Sequence, residues 1–149
     1  MDLGLTHKRF LVTGASRGIG KAIAAAFLAE GSRVALVARG EVPIRQTALE
    51  LSHQAEAGNV LDFVADCTDE IVLKKVCEQI IKKWGGLDGV IANVGDGRSV
   101  PDPIPDVEQW SKIWSTNFET ALNTARVFLP LLQKSLGNFL FISGNNFTV

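Results

Sequence analysis

Two kinds of segment alternate along this chain of 149 residues. Short apolar runs of strand length are separated by longer segments in which apolar positions recur at helical spacing. The strand-like runs cover residues 10–13, 34–38, 60–65, 87–92 and 139–142. The second run is apolar throughout, which is typical of a parallel strand covered by helices on both faces.

The first predicted helix follows a glycine-rich turn after the first strand. It places Ile19, Ile23, Ala26 and Phe27 on one face and ends before Gly31. Glycine suits that end because it tolerates the positive φ of a helix terminus.

Polar N-cap residues and proline mark the ends of the other predicted helices. A polar helix covers about residues 43–55, and the next begins at an N-cap on Thr68 and ends at Trp84. A proline-rich loop then leads to a long helix over about residues 107–132. We expect that helix to bend or end near Pro130, because proline lacks the backbone donor.

The resulting order, βαβαβαβαβ, predicts an α/β fold. Alternating strands and helices form a parallel sheet with helices on both faces and right-handed crossovers. The sequence therefore predicts a doubly wound, Rossmann-type sheet of about five strands. Neither a linker nor a fixed-period repeat divides the chain, so residues 1–149 are interpreted as one dinucleotide-binding domain.

Composition narrows the possible partners and location. The net charge of −1 provides no basic field, so neither nucleic acid nor an anionic membrane is expected as a partner. No apolar run approaches the roughly 20 residues that span a bilayer. The first ten residues lack a signal-peptide centre, which favours a cytoplasmic protein. Cys67 and Cys77 match no metal-ligand spacing, and we expect two reduced thiols and no metal site.

The turn after the first strand contains three glycines, in the order Gly14, Gly18 and Gly20. Gly14 permits a sharp turn, Gly18 leaves room for a pyrophosphate, and Gly20 lets the helix pack closely on the strand. The helix N-terminus then offers free N–H groups to phosphate. We expect this loop to bind the pyrophosphate, with Ser16 and Ile19 beside the glycines. The alternative is a tight turn without a ligand.

The spacing T-G-x-x-x-G-x-G in residues 13–20 resembles the motif of the single-domain short-chain dehydrogenase/reductases. The resemblance covers about residues 6–144 and implies the strand order 3-2-1-4-5. The other residues that match the family's motifs, in chain order, are Asp66, Asn93, Gly95, Trp110, Asn117 and Ser143. Val94 departs from the alanine that is usual in the family.

The resemblance implies a role for each matched residue. Asp66, with Cys67, would contact the adenine, although Asp66 also suits a turn. Asn93, with Gly95, would lie beside the cofactor, although Asn93 also suits a cap on the strand end. Asn117 would be the active-site asparagine.

Two further points concern the long helix. Trp110 is expected to be a packing residue. The Asn117 amide lies in an apolar stripe and therefore needs hydrogen-bond partners, either a catalytic water or backbone groups.

The end of the second strand indicates the cofactor. An acid there would accept from the ribose hydroxyls and repel a 2′-phosphate. This chain instead has Ala38 and Arg39 there, with no acid before Glu41. Arg39 can pair with a 2′-phosphate, and Arg17 in the glycine loop is placed to contact the same phosphate. Because arginine binds phosphate in bidentate fashion, NADP(H) is predicted over NAD(H). The alternative is two solvated surface arginines.

The family's catalytic pair, Tyr-x-x-x-Lys, is missing because the chain contains no tyrosine. The residue at the position of the family's catalytic serine is also undecided. Ser143 is the candidate, but strict alignment places Gly144 at that position. Both catalytic assignments, Asn117 and Ser143, therefore rest on the resemblance alone. We expect a fragment of a longer enzyme rather than a natural short form.

Three functions remain open from the sequence. The first is an NADP(H)-dependent oxidoreductase that acts on a small carbonyl or alcohol substrate. The second is a non-catalytic nucleotide-binding module, either a pseudoenzyme or a regulatory partner. The third, a nucleotide-sugar or methyl-transfer domain, is disfavoured by the glycine spacing. In relatives the long helix helps to form a dimer, so we expect a homo-oligomer through residues 107–132.

Overall fold

The computed structural model describes residues 3–97 and 103–143. Its elements, in chain order, are β1 (Arg9–Thr13), α1 (Gly18–Ala29), β2 (Arg33–Ala38), α2 (Glu41–Ser52), β3 (Val60–Val64), α3 (Glu70–Trp84), β4 (Gly89–Ala92), α4 (Val107–Trp114), a π-helical segment (Ser115–Glu119), α5 (Thr120–Ser135) and β5 (Asn138–Phe141). The predicted alternation of strands and helices is confirmed.

The five strands form one parallel sheet in the order β3-β2-β1-β4-β5, as the sequence predicted. Thr13 lies opposite Val37, and Val12 lies opposite Ile91, so the carboxyl ends of the central strands are level with one another. In open α/β sheets that edge is where ligands bind.

The core has two parts, one on each face of the sheet. On β1, Leu11 packs with α3 and α5, whereas Phe10 and Val12 pack with α1 and α2. This alternation follows from the two-residue period of a strand. Five of the six residues of β2 are buried, as its unbroken apolar run predicted. No helix among the described residues is long and apolar enough to cross a membrane.

The predicted inward face of α1 is correct in part: Ile23 and Phe27 pack against the core, whereas Ile19 and Ala26 are exposed. The buried residues are Gly20, Ala24 and Leu28, and Ile19 is 63% exposed. Gly20 faces inward because the helix approaches the backbone of the glycine loop at that point. A small side chain is required there, and the larger Ile19 turns outward. Gly31 does have the expected positive φ, +76°.

The predicted N-cap of α3 is also wrong. Asp69, not Thr68, caps the helix, and its carboxylate accepts hydrogen bonds from the backbone N–H groups of Ile71 and Val72. The Thr68 hydroxyl donates instead to Asp66 at 2.8 Å. A carboxylate next to threonine competes successfully for the cap because its charge also favours the helix N-terminus.

The long helix differs from the prediction in three ways. A π-helical segment interrupts it between α4 and α5, and it continues past Pro130 to Ser135. Pro130 is exposed, and so is Arg126, the residue whose carbonyl lacks the usual helical donor. Trp110 is 62% exposed and is not a packing residue in this structure, because α4 buries none of its side chains.

Candidate functional site

A cleft of about 870 Å³ lies along the carboxyl-terminal edge of the sheet. Its volume falls in the range of about 300–1,000 Å³ that is typical of ligand sites. The lining residues are Gly14, Ser16, Arg17, Gly18, Ile19, Ala38, Arg39, Gly40, Pro43, Ala65, Asp66, Cys67, Thr68, Asn93, Val94, Gly95, Thr116 and Thr120. Every residue predicted to bind cofactor is among them except Gly20.

The glycine loop needs its glycines for two different reasons. Gly14 and Gly18 have φ values of +63° and +57°, a region that side chains disfavour. At Gly20 the reason is space: a Cβ there would lie 2.3 Å from the Gly14 carbonyl oxygen and 2.7 Å from Nδ2 of Asn93. Gly20 therefore packs against the backbone of the glycine loop and does not line the cleft.

The N-terminus of α1 is open toward the cleft. Arg17 is the N-cap, no side chain caps the helix, and its first turn contains no acidic residue. The first N–H groups of a helix lack partners within the helix and carry a partial positive charge. An anion in this part of the cleft would therefore find backbone donors without having to displace a carboxylate.

Thr13 joins β1 to β4 at the edge of the site. Its buried hydroxyl donates to the Ile91 carbonyl at 3.4 Å and accepts from the Asn93 N–H at 3.0 Å. The Asn93 amide in turn donates to the Gly14 carbonyl at 3.4 Å. Asn93 thus both ends β4 and contacts the glycine loop, and its two sequence-based interpretations are compatible.

The loop after β3 is held by a residue that the sequence analysis did not single out. Nδ2 of Asn123, on α5, donates to the carbonyls of both Cys67 and Thr68, each at 3.2 Å. In the same loop, Asp66 accepts from the Thr68 N–H at 2.9 Å. Asp66 is therefore a turn residue that also lines the cleft, and the adenine role remains a prediction.

Cys67 lines the cleft but is buried, with 3% of its surface exposed. Desolvation raises the pKa of its thiol to about 11, although a hydrogen bond with Thr124 opposes that shift. The thiol is therefore neutral near pH 7 and does not act as a nucleophile.

Two arginines line the cleft. Arg17 and Arg39 are both exposed and both line it. Within residues 3–97 and 103–143, no carboxylate forms an ion pair with either arginine. The nearest acid in sequence, Glu41, is paired with Arg45 at 3.0 Å.

The two candidate catalytic residues do not line the cleft. Oδ1 of Asn117 accepts from the Asp96 N–H at 2.8 Å, and its Nδ2 donates to the Ile113 carbonyl at 3.0 Å. The expected partners of this amide are thus backbone groups. Ser143 is exposed beyond the end of β5. Gly144, the alternative to Ser143, lies outside the described residues.

Thr116 and Thr120 line the cleft beside Asn117 and were not predicted. The buried Thr120 hydroxyl donates to the Thr116 carbonyl at 2.8 Å. Sequence reasoning assumed a regular helix, whereas residues Ser115–Glu119 are π-helical. Neighbouring hydroxyl residues around Asn117 were the only signal available.

The chain is similar to known oxidoreductases. A family model described as short chain dehydrogenase matches residues 8–148. An uncharacterized oxidoreductase of Saccharomyces cerevisiae is 32% identical over 145 residues, which cover 93% of this chain and 54% of that protein. Benzil reductase ((S)-benzoin forming) of the same yeast is also 32% identical over 145 residues, with 91% and 54% covered. The chain spans about half the length of these curated relatives.

Solved structures show the same similarity. L-sorbose reductase from Gluconobacter frateurii, complexed with NADPH and L-sorbose, superposes with a TM-score of 0.85 at 28% identity. The match covers 95% of this chain and 54% of that one. An alcohol dehydrogenase from the archaeon Thermococcus sibiricus, complexed with 5-hydroxy-NADP, superposes with a TM-score of 0.81 at 28% identity, covering 91% and 57%.

Proposed function

This chain belongs to the short-chain dehydrogenase family, and we propose that it is the NADP(H)-binding domain of an oxidoreductase that acts on a small carbonyl or alcohol. The observation that carries the proposal is the pair of exposed arginines, Arg17 and Arg39, in a cleft whose other lining groups suit a dinucleotide. When bound, the nicotinamide would supply or accept a hydride.

The cofactor's pyrophosphate would bind at the glycine loop. Backbone N–H groups at the uncapped N-terminus of α1 would donate to its oxygens, and Gly18 leaves open space where a side chain would otherwise project. Because a Cβ at Gly18 would meet nothing within 4 Å, the room there is unoccupied by protein and available to the ligand.

The adenosine 2′-phosphate would lie between Arg17 and Arg39. Neither guanidinium has a carboxylate partner in the described part of the chain, so each is available to form charge-assisted hydrogen bonds. An acid at the Ala38 position would repel this phosphate, and Glu41 is already paired with Arg45. The NADPH and 5-hydroxy-NADP in the two solved relatives are consistent with this choice.

The other end of the cleft would receive the nicotinamide. Val94, Gly95 and Thr116 line it, and Asn117 fixes the loop after β4 through the Asp96 N–H. We propose that Asn117 positions this end of the site. Ser143 is retained as the candidate that would orient the substrate oxygen.

Replacing Arg39 by alanine tests the cofactor assignment. One lost charge-assisted contact corresponds to about 1.5–3 kcal/mol, or roughly ten- to a hundred-fold in affinity. We expect that loss for NADPH and little change for NADH in calorimetric titrations. Arg126→Ala, which removes an exposed arginine of α5 outside the cleft, is the matched control. Equal losses for both cofactors in Arg39→Ala would contradict NADP(H) specificity.

A second candidate is a nucleotide-binding module without catalysis. It is favoured by the absence of tyrosine from these 149 residues, since a family member uses tyrosine to move the hydroxyl proton. A positioned acid contributes about 10²- to 10⁴-fold to such rates. We therefore propose that this chain alone binds NADPH without turnover. NADPH oxidation with a panel of aldehydes and ketones tests this, and activity that Asn117→Ala abolishes would contradict it.

Self-association is the further property that we propose. The exposed apolar side chains along α4, the π-helical segment, α5 and β5 include Val107, Trp110, Trp114, Phe118, Leu129, Leu136, Leu140 and Phe141. Trp114 and Phe118 also contact each other, with ring centroids 4.4 Å apart and ring planes tilted by 34°. Apolar surface of this extent favours association with a second copy. A cytoplasmic location remains a prediction from the sequence.

A further inference from the structure

Arg17 and Arg39 line the same cleft from two different segments. Arg17 follows Ser16 in the glycine loop, whereas Arg39 lies between β2 and α2. Their like charges repel each other, so nothing in the side chains themselves draws the two together. Their separation must be set by the backbone contacts that join the two segments.

One buried contact joins these segments beyond the sheet. Thr47, on α2, is 3% exposed, and its hydroxyl donates to the Ser16 carbonyl at 2.8 Å. The bond is part-buried and has the length of a normal hydrogen bond. The adjacent backbone hydrogen bond runs from the Ala15 N–H to the Val37 carbonyl at 3.2 Å. It attaches the preceding residue of the glycine loop to β2 and not to α2.

The ion pair between α1 and α2 is of a different kind. Lys21 pairs with Glu50 at the surface, where both side chains are at least a third exposed. Surface pairs of this type contribute little to geometry or stability. Among the described contacts, the Thr47 hydroxyl is therefore the buried group that fixes α2 against the residue directly before Arg17.

We propose that Thr47 is a positioning residue for selectivity toward the 2′-phosphate. Its hydroxyl holds the Ser16 carbonyl at a fixed distance from α2 and thereby keeps Arg17 and Arg39 at the separation that one phosphate bridges. This inference rests on the proposed NADP(H) function. Loss of the hydroxyl lets the loop shift, which weakens contacts to the 2′-phosphate and spares those that the adenosine makes elsewhere.

The test compares two small probes, 2′,5′-ADP and 5′-AMP, which differ in the 2′-phosphate. Their affinities for the 149-residue chain are measured by calorimetric titration. Thr47→Val keeps the shape of the side chain and removes the hydroxyl. It should reduce the wild-type preference for 2′,5′-ADP by at least about threefold, which is less than the effect of losing one whole charged contact. Binding of 5′-AMP should change less than about twofold.

Two variants serve as controls. Thr47→Ser restores the hydroxyl and should recover the wild-type preference. Ser52→Ala removes a hydroxyl of α2 that bonds only to the Ala48 carbonyl of the same helix, at 2.7 Å, and should leave the preference unchanged. If Thr47→Val gives no folded protein, Thr47→Ala carries the same comparison.

Each remaining outcome overturns a specific statement. An unchanged preference in Thr47→Val, or equal weakening of both probes, would overturn the positioning role, since a merely structural residue affects both probes alike. Failure of Thr47→Ser to recover the preference would overturn it as well. Equal affinity of the wild-type chain for the two probes would overturn the NADP(H) assignment itself, and the inference with it.

Discussion

Replacing Gly20 by alanine should damage both the fold and the cleft. The added Cβ would lie 2.3 Å from the Gly14 carbonyl oxygen and 2.7 Å from Nδ2 of Asn93. Cβ atoms in folded proteins essentially never lie within 3.0 Å of such atoms, so either α1 or the glycine loop must move. Because one obstacle is backbone, rotation of a side chain cannot relieve the clash.

The expected magnitude is the difference between two opposing effects. Overpacking costs about 1–3 kcal/mol, and contact with backbone places this site at the upper end. Alanine is better than glycine inside a helix by about 1 kcal/mol. We therefore expect Gly20→Ala to lower the free energy of unfolding by about 2 kcal/mol. Displacement of the phosphate-binding N–H groups should also weaken NADPH binding at least about tenfold.

Gly85→Ala is the matched control. Gly85 is the C-cap of α3, with φ +78°, and lies near the amino-terminal ends of the strands, away from the cleft. A Cβ there would meet nothing within 4 Å. Its cost is left-handed backbone strain alone, about 1–2 kcal/mol. Urea unfolding should show similar losses for both variants, whereas only Gly20→Ala should lose NADPH affinity. A Gly20→Ala protein with wild-type stability and binding would refute the reasoning.

Other predictions concern the ion pair, the thiols and the sheet edge. Asp88→Asn should lower the free energy of unfolding by about 1.5–3 kcal/mol, measured with urea, because Arg9 loses charged acceptors at 2.9 and 3.1 Å. Hydrogen bonds from Arg9 hold the pKa of Asp88 below its ordinary value, so this contribution is present above about pH 4 and is lost as the pH falls through the lower folded-state pKa. Acid unfolding curves that coincide for wild type and Asp88→Asn would contradict that. Iodoacetamide near neutral pH should label half-buried Cys77 before buried Cys67. Mass spectrometry of the labelled peptides measures this order, and faster labelling of Cys67 would contradict the prediction. Leu140→Lys, on the exposed β5, should reduce the concentration-dependent light scattering of the chain; a wild type that stays monomeric at high concentration would refute self-association.

The sheet and the phosphate loop were predictable because local sequence determines them. The unbroken apolar run of β2 identified a strand buried on both faces, and the spacing of Gly14, Gly18 and Gly20 identified the turn between strand and helix. Strand order came from the family resemblance, and the structure confirms it. Apart from strand order, these features require no knowledge of contacts between distant residues.

What the sequence missed depends on contacts across the fold. On α1, Gly20 faces inward and Ile19 faces outward because close approach to the Gly14 carbonyl leaves no room for a side chain, which periodicity does not reveal. The Thr47–Ser16 bond joins residues 31 apart, and Asn123 lies 56 positions beyond Cys67. No local pattern identifies such pairs.

The π-helical segment was missed for a related reason. Ser115–Glu119 contains neither proline nor glycine, so its sequence continues the helical pattern of α4 without a break. The wider turn changes which side chains face the cleft, and Thr116 and Thr120 line it in place of the predicted Asn117.

Calorimetric titration of the 149-residue chain with NADPH and with NADH tests the central claim most directly. The claim is that the cleft at the carboxyl ends of the strands binds a dinucleotide and that Arg17 and Arg39 select its 2′-phosphate. We predict one site that binds NADPH at least about tenfold more tightly than NADH, as one charge-assisted contact would give. Equal affinities, tighter binding of NADH, or no binding of either cofactor would contradict the account.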